Sequence, residues 1–284
     1  MKPHNFDSYR DKYETVSLER SGDGILQITL HNRNEPDKEM AYDGKYDFSF
    51  PNVEWGHCFY DVARDPENEV IILTHAGDNY IREDATPYRS NAALVGVEGP
   101  VHPNDFDRAM SDQKWLQMNL LSIECPVIAA VRGEAVVHAE VMVQNDIVLC
   151  SEDAVFQDLP HFEGGLYGPG DSVHVVWPDL LGTNRGRYFL LTGQRIGAAE
   201  ALSMGVVAEV LPEDDLLPRA YELARHILRR PRLMRRYTRM MITQRQKESM
   251  LAHLGMGLAL ESLTLAGRPV NEGVTDYWNS FTRN

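Results

Sequence analysis

The sequence predicts a mixed α/β fold followed by an all-helical C-terminal region. Three observations point to it. Apolar runs at 70–73, 127–131 and 147–150 are too short for buried helices and read as strands of a sheet covered on both faces. Segments with helical character separate them, at 52–63, from Asn104 to about Leu121, and within 132–144. From Asp215 the pattern is helical to about Leu265, broken at Pro231 and loosened near Gly255 and Gly257. These limits divide the chain into a polar N-terminal tail at 1–13, an α/β core at 14–212 and a helical region at 213–284.

Taken in order, the first element is a hairpin. Val16 and Leu18 alternate with polar residues, and Ile25, Ile28 and Leu30 follow a Ser-Gly-Asp-Gly turn. Residues 32–50 and 76–103 have no clear period, and two such loops in a compact domain are expected to wall a pocket. Asn104 is placed to cap the next helix, with Met110, Trp115, Met118 and Leu121 along one face. Pro126 opens a strand. A short apolar pair, Val155 and Phe156, leads to a glycine-rich loop at 164–170, and an apolar helix-like run leaves it from Val173. Asn184 is placed to cap a helix ending near Gly193. A short helix at 198–204, Gly205 and a strand at 206–210 complete the core.

Composition narrows the function. A net charge of −14 argues against nucleic acid or an anionic membrane as partner, since both are polyanions. No apolar run approaches the ~20 residues needed to span a bilayer. Cys58, Cys125 and Cys150 have no CxxC spacing and form an odd set, and the opening MKPHNFDSYRDKYE lacks the apolar core of a secretory signal. A reduced, cytoplasmic setting is expected.

The most informative stretch is 155–178. His161 lies just before the glycine-rich loop and Asp171 just after it, so the loop can fold back and bring the two together. A histidine backed by a carboxylate is the usual base near neutral pH, because the carboxylate fixes the tautomer and stabilises the imidazolium. The same letters allow another reading, in which Asp171 is an ordinary N-cap and His161 a hydrogen-bonded loop histidine. Spacing alone leaves both open.

Three longer segments carry a resemblance: PVIAAVRGEAVVHAEVMVQNDIVL (126–149), FQDLPHFEGGLYGPGD (156–171) and LLGTNRGRYFLLTGQRIGAAEALSMGVVAEVL (180–211). Together they resemble the crotonase, or enoyl-CoA hydratase/isomerase, superfamily over roughly residues 14–265. The resemblance implies a crotonase-like spiral of ββα turns with a C-terminal helical trimerisation region, and self-association as a trimer or dimer of trimers. The departures sharpen it. Members acting on coenzyme A thioesters carry glycines after the first of these strands, where this chain has Val136-Val137-His138. The second oxyanion-hole stretch reads Tyr80-Ile81-Arg82-Glu83-Asp84, and the glutamate that follows the hydratase proline is replaced by His161. A second hydratase glutamate aligns near Glu140, one residue out of step. His138-Ala139-Glu140, Pro160-His161-Phe162, Pro169-Gly170-Asp171 and His174-Val175-Val176-Trp177-Pro178 instead resemble the β-diketone hydrolase branch, typified by 6-oxocamphor hydrolase. Glu261, in GLALESL, matches a late-helix glutamate of that branch, whereas its early aromatic wall residue has no clear counterpart in 32–50.

What the resemblance implies is hydrolysis of a carbon–carbon bond in a cyclic diketone without cofactor or metal. His161 takes a proton from water, Asp171 holds its ring, His138 meets the developing enolate oxygen, and Glu261 lies against the substrate. An aimed donor such as His138 is worth ~3 kcal/mol or more. His174 and Trp177 read more simply as packing residues. The arginines from Arg229 to Arg239 read as ion pairs across a subunit interface rather than a nucleic-acid surface. Two other readings stand beside this one: a coenzyme A thioester hydratase, isomerase or hydrolase, and a non-catalytic crotonase-fold scaffold or RNA-binding protein.

Overall fold

The computed structural model describes residues 4–40, 50–81, 103–163 and 168–266. Parts of both expected pocket loops, residues 82–84, the middle of the glycine-rich loop and the end of the helical region lie outside the described residues. Residues 4–13, expected as a tail, instead lie along the core. Phe6–Ser8 forms a 3-10 turn, and buried Tyr9 donates its hydroxyl to Asp65 at 2.8 Å.

The hairpin forms as expected, from β1 (Val16–Arg20) and antiparallel β2 (Ile25–Leu30). Helix α1 (Phe50–Arg64) leads to β3 (Val70–His75), α2 (Pro103–Ser122) and β4 (Val127–Val131). Beyond β4 come β5 (Glu134–Ala135), α3 (Ala139–Val143), β6 (Ile147–Ser151) and β7 (Val155–Phe156). A π-type turn (Leu159–Glu163) precedes α4 (Val173–Leu181) and α5 (Thr183–Thr192). Then follow β8 (Ile196–Gly197), α6 (Ala198–Met204) and β9 (Glu209–Leu211), and finally α7 (Glu213–Leu228), α8 (Arg232–Ile242) and α9 (Gln244–Ala266).

The strands form a six-stranded sheet, β1-β2-β3-β4-β6-β9, parallel from β2 onward, and a small sheet, β5-β7-β8. One order repeats along the chain: a strand in the large sheet, a piece of the small one, then a helix. It appears as β3, the Ile81 bridge to Ala135, and α2; as β4, β5 and α3; and as β6, β7 and α4. This is the expected ββα spiral. Period-2 alternation sends Ile71, Leu73, Val127 and Ala129 into the main core, while Val70, Ile72, Ile128 and Ala130 pack under Leu216, Ala220 and Ala224 of α7. Burial on both faces explains why these strands read as continuous apolar runs.

Several sequence-based placements shift, each for a physical reason. Helix α2 begins at Pro103 rather than after Asn104, and its buried side is Gln113, Leu116, Gln117, Leu120 and Leu121, with Trp115 56% exposed. Two buried glutamines made that face read as polar. Helix α5 begins at Thr183, so Asn184 lies inside it. The last core strand starts at Glu209 because Gly205 closes α6 in the left-handed region and the Val206 amide bonds back to Ala201 O at 2.9 Å. Helix α9 continues unbroken through Gly255 and Gly257.

Helix α8 is turned inside out. Its arginines face the protein: Arg239 bonds Asp146 at 2.6 Å, Arg235 and Arg232 meet Glu69, and Arg236 meets Glu124. These ion pairs lie within the chain, which corrects the subunit-interface reading. The outer side of α8 is apolar instead, with Leu233, Met234, Tyr237, Met241 and Ile242 each more than half exposed. Among the described residues no helix is long and apolar enough to cross a membrane.

Candidate active site

The expected site residues converge, although they come from four distant parts of the chain. His161 sits in the π-type turn, where its own backbone leaves helical geometry (φ −80°, ψ −110°). Such turns recur at functional sites. Asp171 is not the N-cap of α4. Ser172 takes that place, buried and in the left-handed region at φ 100°, which leaves the Asp171 side chain facing His161. Asp171 Oδ1 lies 3.5 Å from His161 Nε2, and its Oδ2 lies 3.9 Å from His138 Nδ1. Glu261 reaches in from α9, with a carboxylate oxygen within 4.8 Å of donor atoms on both His161 and Asp171. All four residues are buried.

His138 is held in a conformation that glycine adopts freely and other residues rarely do, at φ 50°, ψ 30°. This is the stretch where the sequence resemblance implies glycine in members that act on coenzyme A thioesters. Keeping a side chain there costs on the order of 1 kcal/mol, and such outliers cluster at functional sites. His138 Nδ1 lies 3.1 Å from Glu140 Oε1, the Tyr80 hydroxyl donates to His138 O at 3.2 Å, and Gln117 Nε2 donates to Glu140 Oε1 at 3.3 Å. The other buried glutamine of α2, Gln113, donates to Asp171 O at 3.0 Å. Both glutamines escaped the sequence reading, because a helical glutamine gives no signal until its partner is known.

Asp158 also escaped it. Its Oδ1 lies 2.5 Å from His161 Nδ1, closer than Asp171 is to the other ring nitrogen. The signal was its i, i+3 spacing to His161. His174, read from the sequence as a packing residue, turns to His253 O at 3.4 Å, and burial lowers its pKa.

The electrostatics follow from burying so many charges together. Burial works against an imidazolium at His161, but Asp158 and then Asp171 outweigh it and push the pKa up to about 10. His138 is raised in the same way, by Glu140 and Asp171 against its burial. Burial raises both Glu140 and Glu261, the latter well above the carboxylate range with Asp171 adding to the shift. At neutral pH His161 therefore carries its second proton, and Glu261 is shifted toward its protonated form. His138, Glu140 and Asp171 form one mixed imidazole–carboxylate group, and His161, Asp171 and Glu261 another, each with donor atoms within 4.8 Å. A divalent metal accepts such donors, although the sequence spacing of 138, 161 and 174 carries no metal motif.

Glu261 is seated by two glycines. A Cβ on Gly170 would stand 2.6 Å from the Glu261 Cβ, and a Cβ on Gly257 would stand 2.6 Å from Gly170 O and against His174. Only bare backbone lets α9 come this close. Gly257→Ala, which in an ordinary helix interior stabilises by about 1 kcal/mol, is expected here to destabilise by roughly 1–3 kcal/mol through overpacking. Thermal unfolding checks the sign. A raised melting temperature would mean that α9 does not approach so closely.

Comparison with known proteins places this geometry in context. The family described as enoyl-CoA hydratase/isomerase matches residues 21–280. Carnitinyl-CoA dehydratase of Shigella flexneri is 31% identical over 216 residues, 76% of this chain and 75% of that relative. A solved β-diketone hydrolase from the cyanobacterium Anabaena sp. PCC 7120, bound to (S)-3-oxocyclohexyl acetic acid, is 39% identical with a TM-score of 0.78, over 91% of this chain and 96% of the other. An enoyl-CoA hydratase/isomerase from Mycobacterium paratuberculosis shares the fold at 23% identity and a TM-score of 0.72, over 90% and 95%.

Proposed function

We propose that this chain, which belongs to the enoyl-CoA hydratase/isomerase (crotonase) family, hydrolyses the carbon–carbon bond between the two carbonyls of a cyclic β-diketone to give a keto acid. The observation that carries the reading is one buried carboxylate, Asp171, flanked by the imidazoles of His161 and His138. The Anabaena β-diketone hydrolase supports it. The ligand of that structure, a cyclic ketone bearing an acetic acid arm, has the form left by hydrolysis of a bicyclic 1,3-diketone.

The chemistry balances without a redox step. Neutral His161 takes one proton from water through Nε2 as the water oxygen bonds to a carbonyl carbon. The resulting tetrahedral alkoxide re-forms its carbonyl and the bond to the carbon between the two ketones breaks. The electron pair passes to the second carbonyl as an enolate, whose oxygen meets His138. His161 then returns its proton to that carbon. One water is consumed and one carboxylic acid and one ketone are formed. The steps call for no cofactor or metal. Glu261, its pKa raised by burial, borders the substrate. Self-association as a trimer or dimer of trimers, through the apolar outer side of α8, completes the reading.

The carnitinyl-CoA dehydratase relatives favour a second reading, a coenzyme A thioester hydratase or isomerase. His138 in the left-handed position and His161 in place of a glutamate count against it.

One experiment separates the two. Enzyme treated with a chelator is offered a bicyclic 1,3-diketone and crotonyl-CoA, and product acids are measured across pH. His161 must lose its proton before it acts as a base, and its pKa is about 10. Diketone kcat/KM is therefore expected to rise roughly tenfold per unit from about pH 7 to about pH 9. Turnover of crotonyl-CoA alone would reverse the assignment. A diketone rate that falls over that range would make His161 an acid rather than the base, and a rate lost with the chelator would bring in a metal.

A further inference from the structure

We propose that Asp158, and not Asp171, is the positioning residue for the His161 imidazole, and that Asp171 instead holds the attacking water. The inference rests on the hydrolase reading above and deepens it. A base and its orienting carboxylate must use opposite ring nitrogens, since the nitrogen that takes the proton has to face the reacting water. Asp158 is 2.5 Å from Nδ1, and both groups are buried. An ionised carboxylate only accepts hydrogen bonds, so Nδ1 carries the hydrogen and Nε2 is left as the basic nitrogen. Asp171 lies on the Nε2 side at 3.5 Å. A carboxylate there competes with the water for Nε2 if it is the orienting group, but shares the water with Nε2 if it is not. Asp171 Oδ1 has no hydrogen-bond partner among the described residues, although it is buried, which fits an oxygen aimed at a bound water.

Local structure supports the assignment. Asp158 and His161 lie on one turn of backbone, within a segment fixed by the Gln157 and Leu159 amides bonding to Ala135 O at the end of β5 and to Val136 O just beyond it. The bond therefore survives movement of α4 or α9, on which the placement of Asp171 and Glu261 depends. Among the described residues, the charged and titratable groups around His161 include Asp158 from its own turn, Asp171 ahead of α4, Glu261 from α9, and His138 with Glu140 at the start of α3.

The test is the tautomer. Nitrogen-15 NMR of histidine-labelled protein, with His161 assigned by a His161→Gln spectrum, reads which ring nitrogen carries hydrogen once the ring is neutral. The Nδ1–H form is expected in the unsubstituted protein and in Asp171→Asn, and its loss in Asp158→Asn. The rising limb of the diketone pH profile is expected to break at least about one unit lower in Asp158→Asn, with its plateau reduced about a hundredfold or more. An Nε2–H tautomer in the unsubstituted protein would overturn the proposal. So would an Asp158→Asn protein that loses thermal stability while its His161 pKa and tautomer stay fixed, which is the mark of a purely structural aspartate. The NMR arm needs no substrate, so failure to hydrolyse any diketone would count against the hydrolase reading alone.

Discussion

Diketone hydrolysis by His161→Ala is expected to fall about 10³- to 10⁴-fold in kcat/KM, the upper part of the range for a general base, because the same ring also returns the proton. The size follows from the site. The neighbouring carboxylates are poor substitutes: Glu140 is engaged by His138 and Gln117, burial raises Glu261 well above its ordinary range, and Asp171 lies between two imidazoles. His138 is oriented on Glu140, on the far side of Asp171. Removing the ring also leaves Asp158 buried without its 2.5 Å partner, so a stability loss of about 1–3 kcal/mol accompanies the lost rate. His161→Gln keeps much of the volume and separates the two effects: its rate should stay as low while its melting temperature partly recovers. Initial rates of keto acid release and thermal unfolding measure both. Activity within tenfold of the unsubstituted enzyme would remove His161 from the chemistry and leave it a buried structural histidine.

The fold was legible because its strands are covered on both sides. Runs such as Val127–Val131 carry no polar residue to confuse the period, and the helices between them keep an apolar stripe. What failed were positions where a polar residue is buried for a reason that sequence does not carry. Gln113 and Gln117 made the inner side of α2 look exposed, yet Gln113 holds the backbone carbonyl of Asp171 and Gln117 the carboxylate of Glu140. The arginines of α8 looked like surface or interface charge until Glu69, Glu124 and Asp146 were found beneath them. Val206 and Val207 looked like strand, but the left-handed turn at Gly205 uses the Val206 amide first. The site was legible in its members and not in its wiring. His138, His161, Asp171 and Glu261 were all marked by motif, and the fold brings them together. Which carboxylate stands behind His161 depends on ring orientation, and a three-residue spacing to Asp158 is too common to stand out.

Asp171→Asn tests the centre of the arrangement. The substitution keeps shape and removes one charge, so its effects trace to electrostatics rather than packing. Asp171 raises the pKa of His161, His138 and Glu261 together, and removing its charge should lower all three. For His161 that shift alone favours the neutral base, so a simple pKa argument predicts a faster enzyme at neutral pH. The water-holding role predicts the reverse. An amide in place of Oδ1 offers either one acceptor or a donor that competes for Nε2, and hydroxide forming beside it lacks the neighbouring carboxylate that accepts its second hydrogen. Loss of that placement is expected to dominate, with kcat/KM falling about 10²- to 10³-fold while the rising pH limb moves to lower pH. The two shifts in opposite directions form the signature. A limb that moves with no loss of rate would reduce Asp171 to a charge that tunes its neighbours, and a rate and limb both unchanged would leave it a buried carboxylate outside the chemistry.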